Sequence, residues 1–214
     1  MPISADRILY EDDHLLIVNK RSGELVVKGK GKVQKLPLLD FLKIDYPSLR
    51  PLNRLDFETS GIVVFAKSKE AFENSKKSIS TWEKTYKALV SGRVVPKSGE
   101  IDRPLPARSS KDLVDASTKY YIVKQFPLFA YVSCKINTGR HHQIRRHFAS
   151  IKHPLLLDSV YGDEKINKAC SKETGFRKFF LHAHKLTMNH PITGDVIKVE
   201  SDIPKSFEAL IGKI

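Results

Sequence analysis

Three segments of this chain combine residue types and spacings that could do chemistry. The first is Pro51 to Gly61, P-L-N-R-L-D-F-E-T-S-G. Within it Asp56 sits between apolar Leu55 and Phe57, just before a Thr-Ser-Gly turn and an apolar run. A carboxylate there is either an ordinary surface turn residue, since Asp is common before turns, or an acid held at the mouth of a pocket. The second segment is Glu83 to Leu89, E-K-T-Y-K-A-L, which places Tyr86 in a strand with Lys84 and Lys87 nearby. The third is Ile136 to Phe148, I-N-T-G-R-H-H-Q-I-R-R-H-F, which packs Arg140, Arg145 and Arg146 with three histidines around a Thr-Gly helix start. Backbone N–H groups at a helix start and forked guanidinium donors suit recognition of a phosphate or a carboxylate.

Other chemistries find less support. His141, His142 and His147 cluster, and His182 and His184 alternate on a strand, but none forms H-E-x-x-H. A zinc site would need remote ligands of other types, and the histidines are expected to hydrogen-bond in the core or to contact a ligand. No dinucleotide or P-loop signature is present, so no cofactor and no metal is expected. The two cysteines, Cys134 and Cys170, make no C-x-x-C pair and give no disulfide framework, which fits a reducing compartment.

The elements that must position these residues follow from periodicity. Arg7 to Tyr10 and Leu15 to Lys20 flank the acidic turn Glu11-Asp12-Asp13 and predict a hairpin. Leu38, Leu39, Leu42 and Tyr46 have helical spacing within Leu36 to Tyr46, which Pro47 ends. Gly61 to Ala66 is a short apolar run of buried-strand type, and Ser68 is an N-cap for a polar helix reaching about Trp82. Strands are predicted at Lys84 to Arg93, Thr118 to Gln125, Tyr131 to Ile136, Phe179 to Asn189 and Val196 to Glu200. Helices are predicted at about Arg140 to Ile151 and at Ser206 to Ile211, and Lys28-Gly29-Lys30-Gly31-Lys32 reads as a solvated basic loop. Strands outnumber helices without regular alternation, so the expected fold is α+β, a mainly antiparallel mixed sheet with flanking helices.

Composition sets the partner class. Lys and Arg total 37 against 24 acidic residues among 214, a formal net charge of +13. A surface that basic favours a polyanion, because each neutralised phosphate releases condensed counterions. No run approaches the roughly 18 apolar residues of a membrane span, and the first residues lack a secretory leader pattern. The expectation is a cytoplasmic protein acting as a monomer, with no membrane partner.

Taken in order, five motifs resemble the RluA-type RNA pseudouridine synthases. The family's opening hairpin matches I-L-Y-E-D-D-H-L-L-I-V-N-K at Ile8 to Lys20, and its H-R-L-D-x-x-T-S-G motif matches Asn53 to Gly61. Its K-x-Y-x-A strand matches Lys84 to Ala88, and its T-G-R-x-H-Q-I/L-R helix matches Thr138 to Arg145. Its closing L-H-A-x-x-L-x-x-x-H-P-x-T-G stretch matches Leu181 to Gly194. The chain departs from the pattern in having Asn53 for a usual His, Arg21 for a usual Pro, and Leu157 for a usual Gly before Asp158.

The resemblance implies isomerisation of uridine to pseudouridine in a stem-loop of ribosomal or transfer RNA, without a cofactor. It implies Asp56 as the catalytic carboxylate, Tyr86 as the active-site tyrosine, and Arg145 as the basic residue paired with the aspartate. It also implies that Arg54 enters the space left by a flipped nucleotide, with Asn53, Arg140, His142 and Gln143 among the RNA contacts. Because the motifs run from Ile8 to Gly194, residues 1–214 are expected to form a single catalytic domain with no accessory RNA-binding module ahead of it. Two other readings are a non-catalytic RNA-binding factor on the same scaffold and an N-glycosidase that releases free uracil.

Overall fold

The apolar run after the Asp56 turn forms the most enclosed strand of the first half, and the chain is best followed from there. The computed structural model describes residues 3–29, 36–107, 110 and 112–213. In chain order the strands are β1 (Ile8–Glu11), β2 (Leu15–Lys20), β3 (Arg50–Pro51), β4 (Ser60–Ala66), β5 (Glu83–Ser91) and β6 (Ser98–Asp102). They continue with β7 (Leu105–Pro106), β8 (Leu113–Val114), β9 (Ser117–Gln125), β10 (Phe129–Ile136), β11 (Leu181–Asn189) and β12 (Val196–Glu200). The helices are α1 (Leu38–Leu42), α2 (Lys69–Ser78), α3 (Gln143–Ser150), α4 (Glu164–Thr174) and α5 (Lys205–Lys213). These elements divide between two units, Met1–Lys84 with Ala183–Asp202, and Thr85–His182 with Ile203–Ile214.

In the first unit every residue of β4 is buried. It pairs antiparallel with β2 from Leu15↔Ala66 to Lys20↔Gly61, and β2 pairs antiparallel with β1. On its other side β4 adjoins β11, which pairs antiparallel with β12. Gly61 makes the approach to β11 possible. Its φ is +109°, and a Cβ there would stand 2.2 Å from the Ala183 carbonyl oxygen, so only glycine fits. One core cluster joins Leu16, Val18, Val63 and Phe65 to Leu38 and Leu42 of α1, which explains the helical spacing of those leucines. Ser68 caps α2, its side chain accepting from the Ala71 N–H at 3.1 Å.

In the second unit the strand order is β5-β10-β9-β6, with β10–β9 and β6–β9 antiparallel. Leu89, Phe126, Phe129, Leu156, Phe180, Phe207 and Leu210 form its core, with α5 contributing the last two. On α3, Ile144 and Phe148 are buried, and Phe148 meets Tyr120 edge-on with centroids 5.5 Å apart.

The α+β class with mainly antiparallel pairing is as the strand-rich pattern predicts. Several boundaries differ, and some elements were not expected. The first helix is shorter than Leu36–Tyr46. α3 begins at Gln143 rather than near Arg140, because His142 adopts the left-handed region at φ 55°. The helix at Glu164–Thr174 and the strand at Ser98–Asp102 were not expected at all. From Lys30 on, the basic loop lies outside the described residues. Among the described residues no helix is long and apolar enough to cross a membrane.

Candidate functional site

The Asp56 segment enters the first unit as a loop without regular structure between β3 and β4, held from three sides. Asn53 braces it to the strand that follows: Asn53 Nδ2 donates to the Ile62 carbonyl at 3.3 Å, and Asn53 Oδ1 accepts from the Val64 N–H at 2.8 Å. From below, the fully buried Lys20 donates through Nζ to the carbonyls of Phe57 (3.2 Å) and Arg21 (3.0 Å). The Gly23 N–H also donates to the Phe57 carbonyl, at 2.7 Å. Finally the loop closes on itself as the Thr59 N–H donates to the Asp56 carbonyl at 3.2 Å. Asp56 is half-buried at this fixed turn, and Arg54 is exposed.

Burying an ammonium group is costly unless it is hydrogen-bonded, so Lys20 marks a place where fixing the loop outweighs desolvation. In the sequence Lys20 stands only as the end of a hairpin motif. Its signal was a lysine closing an otherwise apolar strand, a pattern that just as often places the amine in solvent.

In the second unit Tyr86 lies on β5 and is 9% exposed, on the buried alternate of the strand with Ala88 and Val90. Two residues ahead of it, at the end of the first unit, burial pushes the Lys84 amine down to about 8. Arg145 is 4% exposed on the first turn of α3, where it pairs with a carboxylate of its own unit. Arg145 Nε donates to Asp158 Oδ2 at 2.7 Å and Nη2 to Asp158 Oδ1 at 2.9 Å, a bidentate pair with Asp158 fully buried. Burial alone would raise the Asp158 carboxyl. Hydrogen bonds from Arg145 and from the Val160 and Tyr161 N–H groups outweigh it and hold Asp158 below the usual carboxylate range.

The basic loop ahead of α3 is organised by Gln143, which is 3% exposed. Its Oε1 accepts from the Thr138 hydroxyl at 2.7 Å and the Arg140 N–H at 3.1 Å. Its Nε2 donates to the Ser117 carbonyl at 2.8 Å. The amide of Gln143 thus does the work of a brace, as that of Asn53 does in the first unit. Arg140 is exposed, and Arg140 Nε reaches the Asp115 carbonyl at 3.3 Å. His142 is half-buried, with Nδ1 3.0 Å from the Tyr161 hydroxyl, and that hydroxyl accepts from Arg146 Nε at 3.1 Å. His147 is committed to the scaffold: Nε2 donates to the Arg103 carbonyl at 3.0 Å, so Nδ1 accepts from the Thr118 hydroxyl at 2.8 Å.

Comparison with known proteins agrees with these motifs. Residues 14–150 match the family model for RNA pseudouridylate synthase. The chain is 33% identical to the ribosomal large subunit pseudouridine synthase C of Salmonella typhi, across 95% of this chain and 68% of that protein. It is also 33% identical to the tRNA pseudouridine synthase C of Pasteurella multocida, across 95% of this chain and 94% of that one. Among solved structures, human RNA pseudouridylate synthase domain containing 4 superposes with a TM-score of 0.80 at 23% identity, covering 96% of this chain and 92% of that one, a likeness of fold.

Proposed function

The chain belongs to the RNA pseudouridylate synthase family and is an isomerase acting on RNA, and from that premise we propose that Asp56 is the carboxylate that isomerises a uridine in a stem-loop of ribosomal or transfer RNA. The observation that carries this reading is the Asp56 turn itself. A half-buried carboxylate stands on a loop fixed by Asn53, Gly23 and a buried ammonium group, which is how a reacting group is preorganised.

The reaction breaks the C1′–N1 bond of uridine, turns the base, and joins C1′ to C5. The proton on C5 is lost and N1 gains one, so atoms balance without an external oxidant, reductant or group carrier. An ionised carboxylate near the sugar can serve as nucleophile or base. Tyr86 is proposed as the aromatic partner of the uracil and Arg145 as the cation of the site. Both units are proposed to serve this one reaction as a single catalytic domain, acting as a monomer. A uridine inside a stem must leave its stack, at a cost of a few kcal/mol, and Arg54 is proposed to fill the gap. Arg140 and His142 are proposed as further RNA contacts, with Asn53 and Gln143 supporting them from within.

The substrate RNA is proposed from the two relatives, one named for the large ribosomal subunit and the other for tRNA. Mapping pseudouridine across cellular RNA with and without the gene tests this. Sites lost on deletion and restored by the wild-type enzyme, but not by Asp56→Asn, support both substrate and carboxylate. Restoration by Asp56→Asn removes Asp56 from the mechanism. Release of free uracil would instead identify a glycosidase.

A further inference from the structure

The second unit contains a carboxylate that the proposed chemistry does not use, and it is the most enclosed acid described. Asp158 is fully buried and every part of it is tied down. Its Oδ1 accepts from the Val160 N–H at 2.9 Å and the Tyr161 N–H at 3.1 Å, in addition to Arg145. Its backbone carbonyl accepts from the Gly162 N–H at 3.0 Å and from Asn167 Nδ2 at 2.8 Å, while Asn167 Oδ1 accepts from the Leu157 N–H at 2.9 Å. The turn that carries Asp158 is therefore rigid before Arg145 is considered.

Two aromatic rings complete the enclosure of the guanidinium. Arg145 Cζ lies 4.4 Å from the Phe179 ring centroid and 5.1 Å from that of Tyr161. Ring faces at these distances attract a cation and restrict where its centre can lie. The bidentate pair fixes its rotation, because Nε and Nη2 are both assigned. The rings and the bidentate pair together hold the group in place.

We propose that Asp158, with the rings of Phe179 and Tyr161, is a positioning clamp that presets the Arg145 guanidinium for the isomerisation. The proposal rests on the reading of Arg145 as part of the catalytic set. A long cationic side chain left to itself must be ordered at each turnover. The clamp meets that cost during folding and holds the charge where it is needed, which is what preorganisation requires. A simple staple between α3 and the following turn would need the ion pair but not the two rings around it.

The test uses the whole protein, and the probe is ribosomal and transfer RNA isolated from cells lacking the gene. Single-turnover pseudouridine formation, RNA affinity, and the ¹⁵N-edited signal of the Arg145 Nε–H group are measured for wild type, Asp158→Asn, Asp158→Ala, Phe179→Leu and Arg145→Ala. We expect Asp158→Asn to bind RNA within about threefold of wild type. Its rate should fall by on the order of 10²-fold, the usual cost of misplacing a catalytic group by about an ångström, while the Arg145 signal loses its protected position. Formate should restore part of the rate to Asp158→Ala and none to Arg145→Ala. Phe179→Leu, which leaves no buried charge unpaired, should show a smaller loss of the same kind and stands in if the Asp158 variants do not fold. Wild-type rates in Asp158→Asn, or in Phe179→Leu with an unmoved Arg145 signal, alongside an inactive Arg145→Ala, overturn the clamp while sparing the role of Arg145. A fully active Arg145→Ala overturns that role, and the clamp with it.

Discussion

His190 Nε2 lies 3.0 Å from Asp12 Oδ2, joining the turn of the first hairpin to the turn between β11 and β12. The opposite ring nitrogen fixes the tautomer. His190 Nδ1 accepts from the N–H groups of Ile192 (3.2 Å) and Thr193 (3.0 Å), so the neutral ring carries its proton on Nε2, beside the carboxylate. Asp12 accepts hydrogen bonds from the Tyr10 hydroxyl at 2.6 Å and from the N–H groups of His14 and Leu15 at 2.7 Å each. The hydrogen bond to Asp12 pushes the Tyr10 phenol up to about 12.

Asp12→Ala is expected to cost about 1–3 kcal/mol, the range for removing a charged acceptor whose donors stay in place. The pH dependence has a definite sign. Burial would raise the Asp12 carboxyl, but Tyr10, the two backbone donors and His190 together hold it low. A depressed folded pKa contributes stability that is present above the unfolded value and lost as pH falls through the folded one. The urea midpoints of wild type and variant should therefore differ at pH 7 and converge as pH falls through and below the ordinary carboxylate range. A gap that stays constant throughout that fall would mean the carboxylate is not the source of the stability.

Much of this arrangement was legible in the sequence, and the exceptions have physical causes. Alternation and buried runs locate β2 and β4 because one-sided or two-sided burial leaves a period that hydropathy registers. α4 has no buried residue, so no such period exists. Its only signals were the caps, Asp163 accepting from the Ile166 N–H at 2.9 Å and Gly175 at φ 78°. The start of α3 was misplaced because a left-handed His142 leaves no trace in residue type. Neither the burial of Gln143 nor the pairing of Arg145 with Asp158, thirteen positions on, follows from spacing.

Leu157 offers a contest between two opposed effects. It holds φ at +66°, where a side chain costs about 1–2 kcal/mol, yet it is 5% exposed in the second unit's core. Leu157→Gly relieves the strain but deletes a buried leucine, worth about 2–5 kcal/mol. The expected result is a net loss of roughly 1–3 kcal/mol, and the unfolding midpoint reads it directly. A stabilised glycine variant would show that strain, not packing, dominates this turn.

Lys84 should give stability an alkaline signature. Its amine titrates near 8 in the folded chain because burial disfavours the charged form. Between that value and the ordinary lysine range near 10.4 the unfolded chain holds the extra proton, so stability rises with pH across the window. Comparing urea midpoints at pH 7.5 and 9.5, wild type should gain relative to Lys84→Met as pH rises. Parallel behaviour of the two proteins would mean the amine is solvated.

The last prediction separates residues that touch RNA from residues that hold those residues in place. Arg54 and Arg140 are exposed, whereas Gln143 is buried with its oxygen and nitrogen both committed. A side chain that neutralises a phosphate releases counterions, so it contributes about −0.7 to −0.9 to the slope of log affinity against log salt. Arg54→Ala and Arg140→Ala should each flatten that slope by about one such increment while leaving the unfolding midpoint nearly unchanged. Gln143→Ala should do the reverse. The Arg140 N–H and the Ser117 carbonyl would lose their partner, lowering stability by about 1–3 kcal/mol, while affinity falls equally at every salt concentration and the slope holds. The measurement is filter binding of isolated ribosomal and transfer RNA at four salt concentrations, beside denaturation of the same preparations. Arginine variants whose salt lines run parallel to wild type would take Arg54 and Arg140 off the phosphates, and a flattened line for Gln143→Ala would show that this residue reaches the RNA after all.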